Sequence, residues 1–302
     1  MNYSVTVLMS TYNGEKYIDE QIQSIFIQEN VNVKLLIRDD GSTDKTIDHI
    51  KFWKLKYPID LVDGKNMGYA KSFMTLVKMA KEIKSDYYAF CDQDDVWEKK
   101  KLFQAIQGIN EEVEKPALYL SQAKIVDSEL NPITASFHKR KLELGAVLEH
   151  NYAIGCTMVF NCSLRDILDI NITNMELECG HDSWIFLVAI AIGAIIYYDT
   201  DSHVLYRQHG SNTSGKIVTL KQAINAVNKI LFRWKHTRSN TAYKLIENYK
   251  KYINDENYEL LKLAAKKRNL AEKIKFAFNQ KMHSEYFVVD TLFVFAVLFD
   301  LF

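Results

Sequence analysis

One stretch decides the fold: Tyr87-Tyr88-Ala89-Phe90-Cys91-Asp92-Gln93-Asp94-Asp95-Val96-Trp97. Its apolar start predicts a short buried strand, and three carboxylates follow at the carboxyl end, where open α/β sheets bind their ligands. Carboxylates this close repel one another and are stabilised by water, a cation or a proton. Hard oxygen ligands favour Mg²⁺ or Mn²⁺. The alternative is an acidic turn in which Asp95 caps a following helix.

Strands and helices alternate ahead of this stretch. Apolar runs at residues 5–9, 33–37 and 59–62 predict strands. Apolar residues at helical spacing follow each run, and Ser42 or Thr43 is placed to cap the second helix. The order β-α-β-α-β-α-β predicts a mainly parallel sheet with helices on both faces. The loops after the strands then meet at one edge and line a single cleft.

The segments that follow complete a mixed α/β sheet. Residues 117–120, 125–126 and 155–160 predict further strands or strand edges. Residues 185–196 are apolar on every side, which predicts a buried helix.

Charge divides the chain in two. The 302 residues are 48% hydrophobic and 25% charged, with no net charge, which is typical of globular proteins. Residues 1–215 hold 22 Lys and Arg against 30 Asp and Glu, whereas residues 216–285 hold 16 against 6. Helical periodicities mark the second part, for example Leu220 with Ile224 and Tyr243 with Ile246. We expect a catalytic domain at 1–215 and a basic helical region at 216–302 that ends in an apolar segment.

The apolar segment at residues 287–302 has three interpretations. It contains Asp290 and Asp300 and is short for a bilayer span. It could dock on the helical region or on a partner, lie in a membrane interface beside the basic helices, or begin a transmembrane helix. The four cysteines have no C-x-x-C spacing and the N-terminus has no signal-peptide pattern, so we expect a cytoplasmic location.

The common phosphate-binding and nucleophile motifs do not occur in the sequence. It has no G-x-x-x-x-G-K-[ST], no G-x-G-x-x-G after the first strand and no G-x-S-x-G. A phosphate-bearing ligand would therefore be held mainly by a metal ion.

Six short motifs stand in order along residues 3–215. They are Ser10-Thr11-Tyr12-Asn13-Gly14-Glu15, Arg38-Asp39-Asp40-Gly41-Ser42-Thr43-Asp44, Asn66-Met67-Gly68, Asp92-Gln93-Asp94-Asp95, Gly155-Cys156-Thr157 and His181-Asp182. Together they resemble glycosyltransferase family 2, the inverting nucleotide-sugar transferases of GT-A fold. The wording of residues 91–97 and 206–212 is most similar to the bacterial rhamnosyltransferase-like branch of that family.

The resemblance implies a nucleotide-sugar site. Thr11, Tyr12 and Glu15 would hold the nucleotide, with Tyr12 stacking on the base. Asp40 would accept the N3–H of uracil or thymine, although the residues around it also fit a turn with a helix cap. The other donor-binding residues would be Asn66, Gly68, Lys71, Asp92, Gln93 and Asp95.

The resemblance also implies a metal site and a base. Asp94 and His209 would bind Mn²⁺ or Mg²⁺ on the diphosphate and so offset its charge, although a lone histidine is as often structural. Arg207 could face phosphate. Asp182 would be the general base, with a helix cap as the alternative.

The acceptor side is defined by fewer signals. Gly155, Cys156 and Thr157 would form its floor, or equally a packed strand end. Family members usually carry Glu ahead of the base; here His181 could orient the acceptor, bind phosphate or shift the pKa of Asp182. Trp184 could stack on a sugar ring, with a buried aromatic as the alternative.

These features predict a metal-dependent inverting glycosyltransferase that moves a sugar from a UDP- or dTDP-sugar to a saccharide, in capsule or O-antigen synthesis. Its acceptor would be a saccharide or lipid-linked saccharide at the inner face of the cell membrane, contacted through the basic C-terminal helices. A homo-oligomer is compatible with the sequence, and no nucleic acid partner is expected. The alternatives are a sugar nucleotidyltransferase or phosphatase-like hydrolase, and a non-catalytic nucleotide-sugar-binding or scaffold subunit.

Overall fold

The computed structural model describes residues 2–110, 114–133, 141–168, 179–209 and 237–302. Strands and helices alternate through its first part as the sequence predicts. They are β1 (Tyr3–Thr11), α1 (Ile18–Phe26), β2 (Val31–Asp39), α2 (Thr46–Lys54), β3 (Ile59–Asp63), α3 (Tyr69–Met79) and β4 (Tyr87–Cys91), with a 3₁₀ turn at Ala80–Glu82.

Strand β4 is the last strand of the parallel part of the sheet. All five of its residues are buried, because apolar side chains face helices on both sides of a parallel sheet. Strand β1 pairs in parallel with β4 on one side and with β2 on the other, and β3 pairs in parallel with β2. The register sets Met9 opposite Cys91 and Thr11 opposite Asp39. These strands therefore end at one edge.

The second part adds antiparallel pairs. It contains β5 (Val96–Trp97), α4 (Lys101–Ile109), β6 (Ala117–Val126), α5 (Leu144–Glu149), β7 (Val159–Asn161), α6 (Cys162–Leu168), α7 (His181–Ala191) and β8 (Ile195–Arg207). The described residues form an eight-stranded sheet in the order β3-β2-β1-β4-β7-β6-β8-β5. Strand β7 runs antiparallel to both β4 and β6, and β8 runs parallel to β6. The predicted mixed α/β fold is confirmed.

Three boundaries differ from the sequence prediction. Residues 117–126 form one strand, β6, where the sequence predicted two. Gly155–Thr157 is a 3₁₀ turn, so β7 begins only at Val159. The helix predicted to reach residue 196 ends at Ala191, since the chain turns at Gly193 (φ 72°) and enters β8. A continuous apolar run does not by itself distinguish a buried helix from a buried strand.

Two predicted helix caps are wrong. Helix α2 begins at Thr46, and neither Ser42 nor Thr43 caps it. Instead the Ser42 hydroxyl donates to Asp39 Oδ2 at 2.6 Å, and the Thr43 amide donates to the Asn13 side chain at 2.8 Å. These two residues tie neighbouring loops together.

The described part of the chain divides into two compact units. The first draws on Met1–Phe137, Ala153–Ala189 and Ala194–Ser211 and holds the sheet, and the second draws on His138–Tyr152, Ile190–Gly193 and Asn212–Phe302. The second contains α5, α8 (Thr237–Tyr249), α9 (Asp255–Ala265), α10 (Leu270–Ala277), a 3₁₀ turn at Gln280–Met282 and α11 (Phe287–Leu298). The predicted periodicity around Leu220 lies outside the described residues. Within those residues, no helix is long and apolar enough to span a membrane.

Candidate active site

The first and fourth strands deliver loops that bond directly to each other. After β1, the Tyr12 amide donates to Gln93 Oε1 at 2.9 Å, and Gln93 Nε2 donates back to the Tyr12 carbonyl at 3.0 Å. A side chain at Gly14 would meet Gln93 Oε1 at 2.3 Å, so glycine leaves room for this pair. Gln93 therefore fixes the first loop, while the Tyr12 side chain stays 48% exposed and free to meet a base.

Thr11 and Glu15, the other two predicted residues of the first loop, hold this loop in place through hydrogen bonds. Thr11 is buried, and its hydroxyl donates to Asp39 Oδ2 at 2.7 Å. Glu15 Oε2 accepts the Lys45 amide at 2.9 Å, which joins the loop to the start of α2. Both residues shape the loop around Tyr12.

Asp40 is buried and accepts hydrogen bonds from three N–H groups. It receives Arg38 Nη1 at 2.5 Å and Gly68 N at 2.9 Å, and the Met67 amide lies near both of its oxygens. A carboxylate offers about four acceptor positions, and three N–H donors occupy most of them. A base N3–H would have to take what remains or replace one of these donors, so the role of Asp40 as base reader stays a prediction.

The loop after β3 comes to Asp40 through glycine. Gly68 has a φ of 84°, which favours glycine, and its amide donates to Asp40. Asn66 and Lys71 are exposed on either side of it. Both are available to a ligand, although no contact here assigns them one.

Asp94 and His209 lie together as predicted. His209 Nε2 is 2.8 Å from Asp94 Oδ2, and both side chains are largely buried. The His209 ring also packs at 5.0 Å from the Tyr17 ring. A residue 115 positions away is thereby held against the second carboxylate of the acidic cluster.

Asp95 lies deeper than its neighbours and does not cap a helix, because β5 follows it. It is fully buried, and its Oδ1 accepts the Arg207 amide at 3.0 Å. Burial and the nearby Asp94 raise its pKa to about 7, while a hydrogen bond with Cys156 and the Arg207 charge oppose the rise. Asp95 therefore supports the acidic cluster from the core through its hydrogen bond with Arg207.

Arg207 is not placed to meet phosphate, contrary to the sequence interpretation. Its side chain is 3% exposed and pairs with Glu20 at 2.5 Å. It also donates to the carbonyls of Asp94 at 2.9 Å and Ser128 at 2.5 Å. The guanidinium therefore fixes the backbone of the acidic loop.

Asp92 and Asp182 face the same space. Burial raises the pKa of Asp92 well above its usual range, and Asp95, Asp94 and Asp182 raise it further in that order. Asp182 lies in the first turn of α7, where its Oδ1 accepts the Ser183 amide at 2.7 Å. A side chain at Gly180 would meet the same oxygen at 2.5 Å. The carboxylate is only partly buried.

One group of three side chains and one pair could contribute ligands to a cation. Among the described residues, donor atoms of Asp92, Asp95 and Cys156 all lie within 4.8 Å of one another. Burial raises the pKa of the Cys156 thiol, and a protonated thiol is a poor ligand for a hard cation. The pair Asp94 and His209, whose Oδ2 and Nε2 atoms are 2.8 Å apart, offers a carboxylate and an imidazole, and these fit Mn²⁺ or Mg²⁺ better.

His181 is a neutral ring in an aromatic box. It stacks on Phe73 at 4.0 Å and lies edge-on to Phe90 at 5.1 Å. Burial lowers its pKa to about 4, against the opposing charge of Asp182. Neither ring nitrogen has a hydrogen-bond partner among the described residues. A neutral imidazole does not attract phosphate as a cation would, so the phosphate-binding interpretation of His181 does not fit.

The turn that the sequence predicted as the floor of the acceptor site lies against α7 through its backbone, while two of its side chains are buried. A side chain on Gly155 would meet His181 Nε2 at 2.9 Å, so its absence lets the turn lie against α7. Cys156 and Thr157 are buried. Trp184 is 1% exposed and packs in the core, so the predicted stacking of its ring on a sugar does not fit.

Lys101 was missed by the sequence analysis. It is fully buried on α4, where its Nζ lies 3.4 Å from the centroid of the Trp97 ring and forms no hydrogen bond with a described residue. Burial lowers its pKa to about 8, while Cys91, Cys156 and Asp95 act in the opposite direction. The sequence contained a signal for this burial, because Lys101 lies on the same helical face as the apolar residues Leu102, Ala105 and Ile109, which are buried.

Comparisons with known proteins identify the family of the chain. A family model described as "Glycosyl transferase family 2" matches residues 6–168. The Shigella flexneri protein named dTDP-rhamnosyl transferase RfbG is 29% identical over 240 residues, which is 75% of this chain and 80% of that relative.

Two solved structures share the fold. S. aureus TarS 1-349 in complex with UDP-GlcNAc has a TM-score of 0.60 at 16% identity, over 100% of this chain and 80% of that one. The mannosyltransferase PcManGT from Pyrobaculum calidifontis, in complex with GDP-Man and Mn²⁺, has a TM-score of 0.53 at 16% identity, over 100% and 88% of the two chains. These likenesses show a GT-A fold.

Proposed function

The chain belongs to glycosyltransferase family 2, and from this premise we propose that it transfers a sugar from a UDP- or dTDP-sugar to a saccharide acceptor with inversion, assisted by a divalent metal ion. The observation that carries the proposal is the meeting of Asp92 and Asp94 with Asp182 and His209 in one unit. A nucleotidyltransferase, a hydrolase and a non-catalytic subunit are less compatible with membership of this family.

The donor would lie across the first four strand ends. Tyr12 offers an exposed ring for a base, and Thr11, Glu15 and Gln93 hold its loop in place. Pyrimidine selection by Asp40 would follow from its carboxylate, which accepts an imide N–H. The name of the Shigella relative and the ligand of the TarS structure point to dTDP- and UDP-sugars respectively.

Other donor contacts would come from exposed or semi-open positions. Asn66, Gly68 and Lys71 flank the loop after β3, where Lys71 is exposed and can meet phosphate oxygens. Asp92 would face the ribose. Asp95 would act from beneath, through its bonds to Arg207 and Cys156.

Mn²⁺ or Mg²⁺ would be held by Asp94 and His209, with Asp92 beside them. When bound, the ion supplies positive charge next to the departing diphosphate. The support is the 2.8 Å contact of Asp94 with His209 and the hard oxygen atoms around it. The solved structure with Mn²⁺ shows that this fold can carry such an ion.

Asp182 would be the general base. It would take the proton of the acceptor hydroxyl while that oxygen forms a bond to the anomeric carbon. The bond from the anomeric carbon to the diphosphate oxygen breaks on the opposite face, and its electrons leave with the nucleoside diphosphate. A single displacement inverts the anomeric configuration, as water does in inverting glycosidases.

The acceptor would approach over Gly155 and the start of α7. His181 would orient Asp182 and an acceptor group from its aromatic box, while Cys156, Thr157 and Trp184 support that wall from inside. We propose a saccharide acceptor in cell-surface polysaccharide synthesis, linked to lipid at the inner face of the membrane. In this proposal residues 1–215 carry catalysis, and the basic helices of residues 216–302 contact the membrane.

Donor turnover without acceptor tests the base. UDP- and dTDP-sugars are incubated with the chain and Mn²⁺, and released nucleoside diphosphate is measured. We expect Asp182→Asn to slow release by about 10²- to 10⁴-fold, because water also needs a base, with nucleotide affinity unchanged. The first free sugar should carry the inverted anomeric configuration by NMR.

Asp48→Ala is the matched control, because Asp48 is an exposed carboxylate on α2 in the same unit. It should keep the full rate. Release by Asp182→Asn at the wild-type rate would show that another group is the base. Release of pyrophosphate or phosphate in place of nucleoside diphosphate would contradict glycosyl transfer.

A further inference from the structure

One face of helix α11 carries large apolar side chains into solvent. Val288 is 68% exposed, Phe295 41% and Phe299 63%, and Phe287 at the helix start is 85% exposed. Residues 288, 295 and 299 recur at helical spacing. The opposite face, with Phe293, Ala296 and Val297, is buried. The helix is therefore packed on one side and open on the other.

Helix α10, which packs against α11, repeats the pattern. Phe276 lies 5.7 Å from Phe293 between ring centroids, in the shared core. Outside that core, Leu270, Ile274 and Phe278 stand four residues apart and are 68%, 48% and 64% exposed. We call these residues and the exposed residues of α11 the apolar face.

A cationic cavity lies beside the α10 part of this face. Its volume is about 620 Å³, and Phe276 and Phe278 are in its wall. Four of its lining residues are basic and one is acidic. They are Lys266, Arg268, Lys275, Lys281 and Glu272.

The charges of the cavity are only partly balanced. Lys266 pairs with Glu272 at 2.7 Å and Lys281 with Glu256 at 2.6 Å. Arg268 Nη2 donates to the Leu263 and Ala264 carbonyls, and its buried Nε has no hydrogen-bond partner among the residues that the structure describes. Lys275 is exposed and forms no ion pair with another described residue. The cavity therefore retains positive charge toward solvent.

We propose that the apolar face and the cationic cavity bind the surface of an anionic lipid bilayer, with a lipid phosphate in the cavity and the exposed rings at the boundary of headgroups and acyl chains. The inference extends the membrane contact of the proposed function and fixes its location. Apolar side chains beside lysines match both layers of such a surface. A two-fold self-contact would instead bring the same cations together.

Sedimentation with vesicles tests the proposal on the full chain. Vesicles of phosphatidylcholine alone are compared with vesicles that also contain phosphatidylglycerol. We expect binding only to the anionic vesicles, weakened by salt, and weakened about fivefold or more by Lys275→Glu. Phe295→Ser with Phe299→Ser should reduce it further, because the inserted apolar area is lost.

The matched control is Lys54→Glu with Leu55→Ser on α2, where an exposed lysine adjoins a leucine that is 85% exposed. This control should bind like wild type. Equal binding to neutral vesicles, no binding at all, or full binding by the Phe295 and Phe299 variant would overturn the inference. The inference would also be overturned if wild type were a dimer and the Phe295 and Phe299 variant a monomer, because the apolar face would then be a dimer interface.

Nucleoside diphosphate release from a soluble donor separates this inference from the proposed function. The α10 and α11 variants should release it at the wild-type rate. Vesicle binding that fails while release persists would remove only the membrane inference. Binding that persists without donor turnover would remove only the transferase proposal.

Discussion

Lys101 is a buried cation under an acidic cluster, and within the described part of the chain no hydrogen bond offsets its burial. Its protonated form is favoured by the neighbouring Cys91, Cys156 and Asp95 and by contact with the Trp97 ring at 3.4 Å. The positive charge of Lys101 in turn favours the ionised form of the carboxylates in the acidic cluster. We infer that Lys101 positions the charge of the cluster without touching the substrate.

Replacing Lys101 by methionine should therefore affect binding more than folding. The variant keeps much of the side-chain volume and removes a costly buried charge, so the free energy of unfolding should stay equal or rise by about 1 kcal/mol. The affinity for Mn²⁺ with nucleotide should fall by on the order of 1 kcal/mol, measured by calorimetry. Lys100→Met changes an exposed neighbour and should leave both quantities unchanged. Lower stability with unchanged affinity would make Lys101 a purely structural residue.

At single residues, the sequence predicts chemistry better than exposure. The carboxylates at Asp92, Asp94 and Asp182 follow strands or open a helix, so their shared edge could be inferred from sequence order. The burial of Trp184 and the commitment of Arg207 to Glu20 could not, because both depend on partners far away in the chain.

At the scale of elements, strands were predictable where apolar runs were short and bounded by polar loops. The first four strands follow this rule. The prediction was wrong at residues 155–157, where buried small residues form a 3₁₀ turn, and at residue 196, where a helix was expected. Loop-to-loop bonds such as Gln93 with Tyr12 had no local signal, since they join residues 81 positions apart.

Helix α5 ends in a buried carboxylate that should make stability depend on pH. Glu149 is 2% exposed, and its carboxylate lies near that of Asp290. Burial first, and then Asp290, raise its pKa from 4.5 to about 8. The folded chain thus keeps a proton in this range that the unfolded chain has lost, so the free energy of unfolding should fall as pH rises from 4.5 to about 8.

Glu149→Gln should remove this dependence. Its stability above the range should exceed that of wild type by about 2 kcal/mol, measured by urea unfolding at both ends of the range. Glu247→Gln, an exposed change on α8, should keep the wild-type slope. An unchanged slope in Glu149→Gln would mean that Glu149 titrates normally.

For the whole molecule, the charge distribution and the helical periodicity predicted an acidic N-terminal part and a basic C-terminal part. The N-terminal part contains the sheet and the candidate site, and the C-terminal helices in the second compact unit carry the apolar face and the cationic cavity. The order of alternating elements was enough to predict a mainly parallel sheet, and the resemblance of the six motifs implied the GT-A fold. Donor sugar and acceptor were beyond sequence reasoning, because they depend on the shape of the cleft.

The most direct test of the central claim is a calorimetric titration of nucleoside diphosphates into the chain, with and without Mn²⁺. We predict tight binding of UDP or dTDP that needs Mn²⁺, at least about tenfold weaker binding of purine diphosphates, loss of the Mn²⁺ effect in Asp94→Ala and its retention in Asp48→Ala. Binding that is indifferent to Mn²⁺ in wild type, or equal in wild type and Asp94→Ala, would contradict the account.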